Sequence, residues 1–116
     1  MIATFTALAE PNRLRIVEFL QRGAQPVGAI SERLHLRQPQ VSKHLQVLKG
    51  AGLVDVRPVA QQRLYELQPA PFHDLQMWLE PYRQLWAARF DALDAVIAEL
   101  KQQERKEHSR HGRKKK

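Results

Sequence analysis

Helical periodicity stops sharply in this chain at Gly50-Ala51-Gly52, and the patterns on either side of that break limit the folds open to it. Over residues 4–20, Leu8, Leu14, Ile16, Val17 and Leu20 recur at near-helical spacing, the mark of an amphipathic helix. Pro11, following Ala9-Glu10, opens a second helix within that stretch, since proline is tolerated in a first helical turn. Gly23 closes it as a C-cap. Residues 27–34 form a short helix with Ile30 and Leu34 inward, and His35-Leu36-Arg37 is a turn. Residues 38–49 are the next helix, with Val41, Leu45 and Leu48 on one face. Glycine then permits the left-handed backbone that ends it.

Beyond the break the period falls to two. Residues 53–57 and 63–67 alternate apolar and polar side chains, as strands do, and residues 59–62 between them form a hairpin tip. Pro69-Ala70-Pro71 is a stiff break. From Phe72 to about Gln103 a long helical pattern returns through Leu75, Trp78, Leu79, Tyr82, Leu85, Trp86, Phe90, Leu93, Val96, Ile97 and Leu100. Pro81 predicts a kink or a fresh start there. Residues 107–116 hold no apolar side chain to bury, which predicts disorder. The expected organisation is one folded domain over residues 1–104 and a disordered basic tail over 105–116. The expected fold class is mainly α with a small β-hairpin, in the element order of a winged helix-turn-helix.

Charge sharpens this reading. The net is +7, but its distribution matters more. Residues 37–63 carry Arg37, Lys43, Lys49, Arg57 and Arg63 against Asp55 alone, whereas residues 64–100 carry two arginines against six acids. Residues 101–116 hold eight cations against Glu104 and Glu107. A basic stripe inside the folded part is the footprint of a nucleic-acid contact. There is no cysteine, which removes disulfides and thiolate chemistry. The N-terminus lacks the pattern of a secretory signal, and no apolar run approaches the ~20 residues that span a bilayer. A soluble cytoplasmic protein is expected, without a membrane segment.

The segment 34–45 carries the most specific signal. Its helix exposes Gln38, Gln40, Lys43, His44 and Ser42 while Val41, Leu45 and Leu48 face inward, the division a recognition helix needs. Glutamine can pair with adenine, serine with several edges, and lysine with guanine or phosphate. An ordinary amphipathic helix with a solvated face would share that division. The hairpin and basic stripe that follow favour the recognition helix.

At this point the sequence resembles the ArsR-type family of bacterial winged-helix regulators. The resemblance covers about residues 3–100. It rests on Leu8-Ala9-Glu10-Pro11-Asn12-Arg13-Leu14-Arg15-Ile16, on Gln38-Pro39-Gln40-Val41-Ser42-Lys43-His44-Leu45, and on Leu48-Lys49-Gly50-Ala51-Gly52-Leu53-Val54. It implies a homodimer with the terminal helices forming a dimer interface, a two-fold symmetric operator in double-stranded DNA, and repression by blocking a promoter. The DNA-contacting set expected on the recognition helix is Arg37, Gln38, Gln40, Val41, Ser42, Lys43 and His44. Arg57, Gln61, Gln62 and Arg63 are expected in the wing, with a solvated turn as the lesser alternative for Gln61 and Gln62. Arg37 stands where family members often have serine, giving up a side-chain N-cap but adding a cation. Ala60-Gln61-Gln62 replaces the family's glycine-containing, more basic hairpin tip.

The dimer interface is expected from Leu8, Trp78, Leu79, Tyr82, Trp86, Phe90 and Leu93, more apolar surface than a small domain buries under one helix. The alternative is that this helix folds back on its own core. The family's cysteine-based metal sites would fall at Pro26 and Gly28, which cannot ligate. His73 and Asp74 lack the spaced histidines a zinc or nickel site needs, and His108 and His111 lie in the tail. No metal, cofactor or catalytic residue is expected, and an enzyme is not indicated. The inducer is not legible in the residues. Two other readings stand beside the repressor. One is a non-specific architectural DNA binder; the other is a protein- or membrane-binding module that acts through its polybasic tail.

Overall fold

The computed structural model describes the backbone of residues 1–114 and the side chains of residues 1–108. Two units divide the chain, Met1–Met77 and the remainder from Trp78. In the first, α1 (Ile2–Leu8) and α2 (Pro11–Leu20) are followed by β1 (Gln25–Pro26) and α3 (Val27–Leu34). Then come α4 (Gln38–Gly50), β2 (Val54–Val59) and β3 (Gln62–Leu67). The last helix, α5 (Pro69–Lys114), begins in this unit and makes up the described part of the second.

Spacing in the sequence sets which faces are buried. Val41, Leu45 and Leu48 lie at i, i+4 and i+7 on α4, and all are at most 1% exposed. Ile30 and Leu34 repeat the i, i+4 step on α3, and Ile16, Val17 and Leu20 form the inner face of α2. Ala7, Leu53 and Val54 complete the core, with Phe19, Tyr65 and Phe72 packed at its margin. Side chains three and four apart share one helix face, so each helix offers this core a single stripe.

Glu10 starts α2. Its backbone is extended and its carboxylate accepts the Arg13 N–H at 2.8 Å, with Pro11 in the first turn. The Arg13 side chain donates from Nε to the Ala7 carbonyl at 2.7 Å and from Nη2 to that of Thr6 at 3.2 Å. The guanidinium thus ties the end of α1 to the start of α2.

Two matched turns frame α4. At the end of α3, His35 donates to Glu32 and Leu36 donates to the Ser31 carbonyl at 3.1 Å. The Ser31 hydroxyl also donates to the Leu36 carbonyl. At the end of α4, Gly52 donates to Lys49 and Leu53 to Leu48, each at 3.0 Å. Both are the paired 6→1 and 5→2 bonds of a Schellman turn, whose central residue is left-handed. Glycine fills that position at Gly52 (φ +77°), but histidine does so at His35 (φ +55°).

The sheet has three strands, ordered β1-β3-β2 and antiparallel throughout, where a two-stranded hairpin was expected. The added strand pairs Gln25 with Tyr65 and Pro26 with Leu64. It escapes pattern reading because two residues cannot show a period. Its proline is accommodated because the strand lies at an edge. β1 runs directly into α3, so the sheet anchors the start of the helix-turn-helix. The hairpin turn is shorter than expected. Val59 pairs with Gln62, which leaves Ala60-Gln61 as the loop.

Two further expectations change, and no fresh helix starts at Pro81. Pro69-Ala70-Pro71 opens α5 instead of breaking the chain, because the first-turn N–H groups that proline lacks have no helical partner anyway. Pro81 sits inside α5 without ending it. Of the expected tail, residues 105–114 continue α5, and residues 115 and 116 lie outside the described residues. Arg105, Lys106 and Glu107 are good helix formers without any core to bury.

The turns predict opposite outcomes for two substitutions. His35→Gly removes a Cβ from a left-handed position and should raise the unfolding free energy by about 1 kcal/mol. Gly52→Ala should lower it by about 1 kcal/mol or more through backbone strain, since its new Cβ would meet only Pro71 Cγ at 3.9 Å. Urea denaturation reads both, and equal shifts of one sign would contradict these turns.

Candidate nucleic-acid interface

The N-terminal half of α4 projects a polar face. Arg37, Gln38, Gln40 and Lys43 are exposed, while Ser42 and His44 are half-buried. Gln38 lies over α3, its Nε2 3.7 Å from where a Cβ on Gly28 would sit. Arg37 supplies no side-chain cap, as expected. Gln40 reaches back instead, and its Oε1 accepts the Arg37 N–H at 3.3 Å. A guanidinium has no acceptor, so this helix start is capped from one side only.

Two expected contact residues are placed differently. Val41 is fully buried and belongs to the core, because the stripe that locks α4 in place passes through it. His44 turns toward α2, with Nδ1 3.7 Å from Glu10 Oε2. That pair is ionic when the imidazole is protonated. Partial burial of Glu10 acts to raise its carboxyl pKa. The Arg13 and Asn12 N–H groups, with the charges of His44 and Arg13, outweigh this and hold it below the ordinary carboxylate value.

In the wing, Arg57, Gln61, Gln62 and Arg63 are all exposed. Arg57 pairs diagonally across the hairpin with Glu66, Nη2 to Oε2 at 3.5 Å. This offsets the like-charge pair Asp55 and Glu66, which stand opposite each other in the ladder. Ala60 has φ +55° at the first loop position, where two-residue hairpins favour glycine.

The second unit, taken by itself, is a helix with a wide apolar face. Trp78, Leu79, Tyr82, Trp86, Phe90 and Leu93 are 44–58% exposed. Leu79, Trp86, Leu93 and Leu100 recur every seven residues, the spacing of a helix that packs along another helix. The Trp78 and Tyr82 rings stand 5.0 Å apart, and the Arg89 guanidinium covers Trp86 at 5.1 Å. Leu8, expected at the same interface, is half-buried and packs against the first unit's own core. Among the described residues no helix is long and apolar enough to cross a membrane. No group of three His, Asp or Glu among them is placed to hold a metal ion, and His73 and Asp74 are exposed.

Sequence reading missed the placements of Arg13 and Arg15. Both were legible only as parts of a motif, because a side chain that ties two helix ends together leaves no periodic trace.

A helix-turn-helix followed by a β wing, with a polar-faced second helix, defines a DNA-binding class. Comparison with known proteins agrees. Residues 8–57 match a helix-turn-helix domain family. The chain is 41% identical over 76 residues to the HTH-type transcriptional regulator Rv2034 of Mycobacterium tuberculosis, covering 66% of this chain and 71% of that one. It is 29% identical over 75 residues to the transcriptional repressor SdpR of Bacillus subtilis, covering 65% and 83%. A homodimeric winged helix-turn-helix domain of Mb0332 from Mycobacterium bovis superposes with a TM-score of 0.60 at 26% identity, over 72% of this chain and 77% of that one. The chain belongs to the ArsR-type family of winged helix-turn-helix transcriptional regulators.

Glu10 predicts an acid limb in stability. A carboxyl whose folded pKa is lowered stabilises fully above its unfolded value, and this is lost as pH falls through the folded value. Stability should therefore decline as pH drops below the ordinary value of 4.5. Glu10→Gln should flatten that limb in thermal unfolding followed from neutral to acid pH. An unchanged limb in the variant would contradict the role given to Glu10.

Proposed function

We propose that this protein is a homodimeric transcriptional repressor that binds a two-fold symmetric operator in double-stranded DNA and blocks a promoter from there. The observation that carries the reading is the division of α4 and its cap: Arg37, Gln38, Gln40 and Lys43 exposed, Val41, Leu45 and Leu48 buried. A helix locked on one face and polar on the other can enter the major groove without rearranging. Gln38 and Lys43 are the leading base-reading candidates. Arg37 and Arg63 would contact phosphates, which position but do not specify. Gln40 combines a base-reading candidate with the helix cap. Arg57 can reach DNA only by sharing its charge with Glu66.

Dimerisation would run through the apolar stripe of α5. Repression is supported by relatives that carry that name, and the proposed place of action is the cytoplasm. No metal or cofactor enters this reading, and the signal that would release the operator is not specified by it.

The test is a titration of the full chain against its own upstream duplex and a scrambled duplex at ~150 mM salt. A specific regulator should prefer the former by at least about a hundredfold. Gln38→Ala/Lys43→Ala should erase most of that preference, at about 1–3 kcal/mol for each base pair read, and leave scrambled-duplex binding little changed. Gln40 is kept because its removal would also loosen the helix start. Equal, strongly salt-dependent binding to both duplexes would instead mark an architectural binder acting through phosphate contacts.

A further inference from the structure

The outer face of α2 and the end of α3 enclose a hollow of about 350 Å³, lined by Arg15, Glu18, Phe19, Arg22, Arg33 and Leu34. Three guanidiniums and one carboxylate is an unusual balance for so small a space. Among the described residues no carboxylate oxygen stands within 4.0 Å of Arg22 or Arg33. Arg22 instead lies over the Phe19 ring at 5.7 Å, an arrangement that leaves its N–H edges open. Arg15 makes only long bonds, 3.4 Å to the Leu34 carbonyl and 3.4 Å to Asn12 Oδ1. Arg13 is the contrast, since both of its short bonds go to the end of α1.

Three gathered cations against the single carboxylate of Glu18 repel one another unless a further anion joins them, and the planar guanidinium fork matches phosphate oxygens. The hollow also has a telling location. Arg33 and Leu34 run straight into the His35-Leu36-Arg37 turn that delivers α4. Arg15 holds the Leu34 carbonyl at that junction.

We propose that Arg15, Arg22 and Arg33 form a phosphate site, and that a backbone phosphate of the bound duplex fills it beside the groove that α4 enters. The inference rests on the DNA-binding reading above and adds an anchor outside both the recognition helix and the wing. Such an anchor fixes how the domain sits on the duplex and carries no sequence information. A free phosphate-bearing molecule would satisfy the same chemistry, so the experiment separates the two sources.

The full chain, its Arg22→Gln/Arg33→Gln variant and its Arg22→Lys/Arg33→Lys variant are titrated with the upstream and scrambled duplexes across a salt series. Arg15 stays because it holds Leu34. The glutamine pair should weaken both duplexes by the same factor and make the slope of log K against log salt shallower by about 1, the value for one phosphate no longer neutralised. The lysine pair should keep most of the slope. An unchanged slope in the glutamine pair overturns the backbone contact, whether or not affinity falls. If the unaltered chain shows no preference for its upstream duplex, the functional reading fails first, and the two failures are distinct. The second arm is thermal unfolding in millimolar inorganic phosphate. A rise in Tm for the unaltered chain but not for the glutamine pair, with an unmoved DNA slope, would assign the hollow to a free anion and overturn the backbone contact.

Discussion

Because Val41, Leu45 and Leu48 recur at i, i+4 and i+7 and are buried almost completely, α4 cannot turn about its axis without drawing three large side chains out of the core. Truncating one such residue typically costs about 2–5 kcal/mol, a large share of a small domain's stability. Rotation is therefore closed to the helix, and its polar residues hold a fixed outward direction. Ile16, Ile30, Leu34 and Leu53 supply the matching surfaces from α2, α3 and the start of the sheet. The same contacts that stabilise the domain also aim Gln38 and Lys43.

The ends of α4 are fixed by different means. The turn ahead of it rests on His35 in a left-handed conformation, secured by the Ser31 hydroxyl and two backbone bonds. The turn behind it rests on Gly52 and buries Leu53 against the core. β1 anchors the start of α3 to the sheet, and Arg13 ties α1 to α2. Each link is short and local. Together they convert a hydrophobic stripe into a defined presentation of polar groups. Charge then adds the long-range part. Arg37, Lys43, Lys49, Arg57 and Arg63 lie in the turn before α4, in α4 and in the wing, where a polyanion would be drawn.

The helices and the β2–β3 hairpin were legible in the sequence because each shows a full period of its own pattern. α3 and α4 carry buried residues at helical spacing, and the hairpin alternates. What escaped had no period to show. β1 is two residues long, and Arg13 and Arg15 act on carbonyls far along the chain. Pro69 and Pro71 read as a break because proline interrupts helices in their interior, yet at a first turn it fits. The charged stretch after Leu100 lacked a buried face, yet α5 continues as far as Lys114. Within the candidate site, side-chain identity announced which residues could read DNA. It did not announce which are occupied in the folded chain. Val41 is claimed by the core, Gln40 by the helix cap, His44 by Glu10 and Arg57 by Glu66.

The central claim is that two copies of this domain present two α4 helices to one face of a duplex. Hydroxyl-radical footprinting of the full chain on its own upstream region tests it most directly. Two protected stretches of similar length are expected, related by two-fold symmetry, with centres one helical turn or ~34 Å apart. A single protected stretch, or unbroken protection that moves freely with the duplex used, would contradict it.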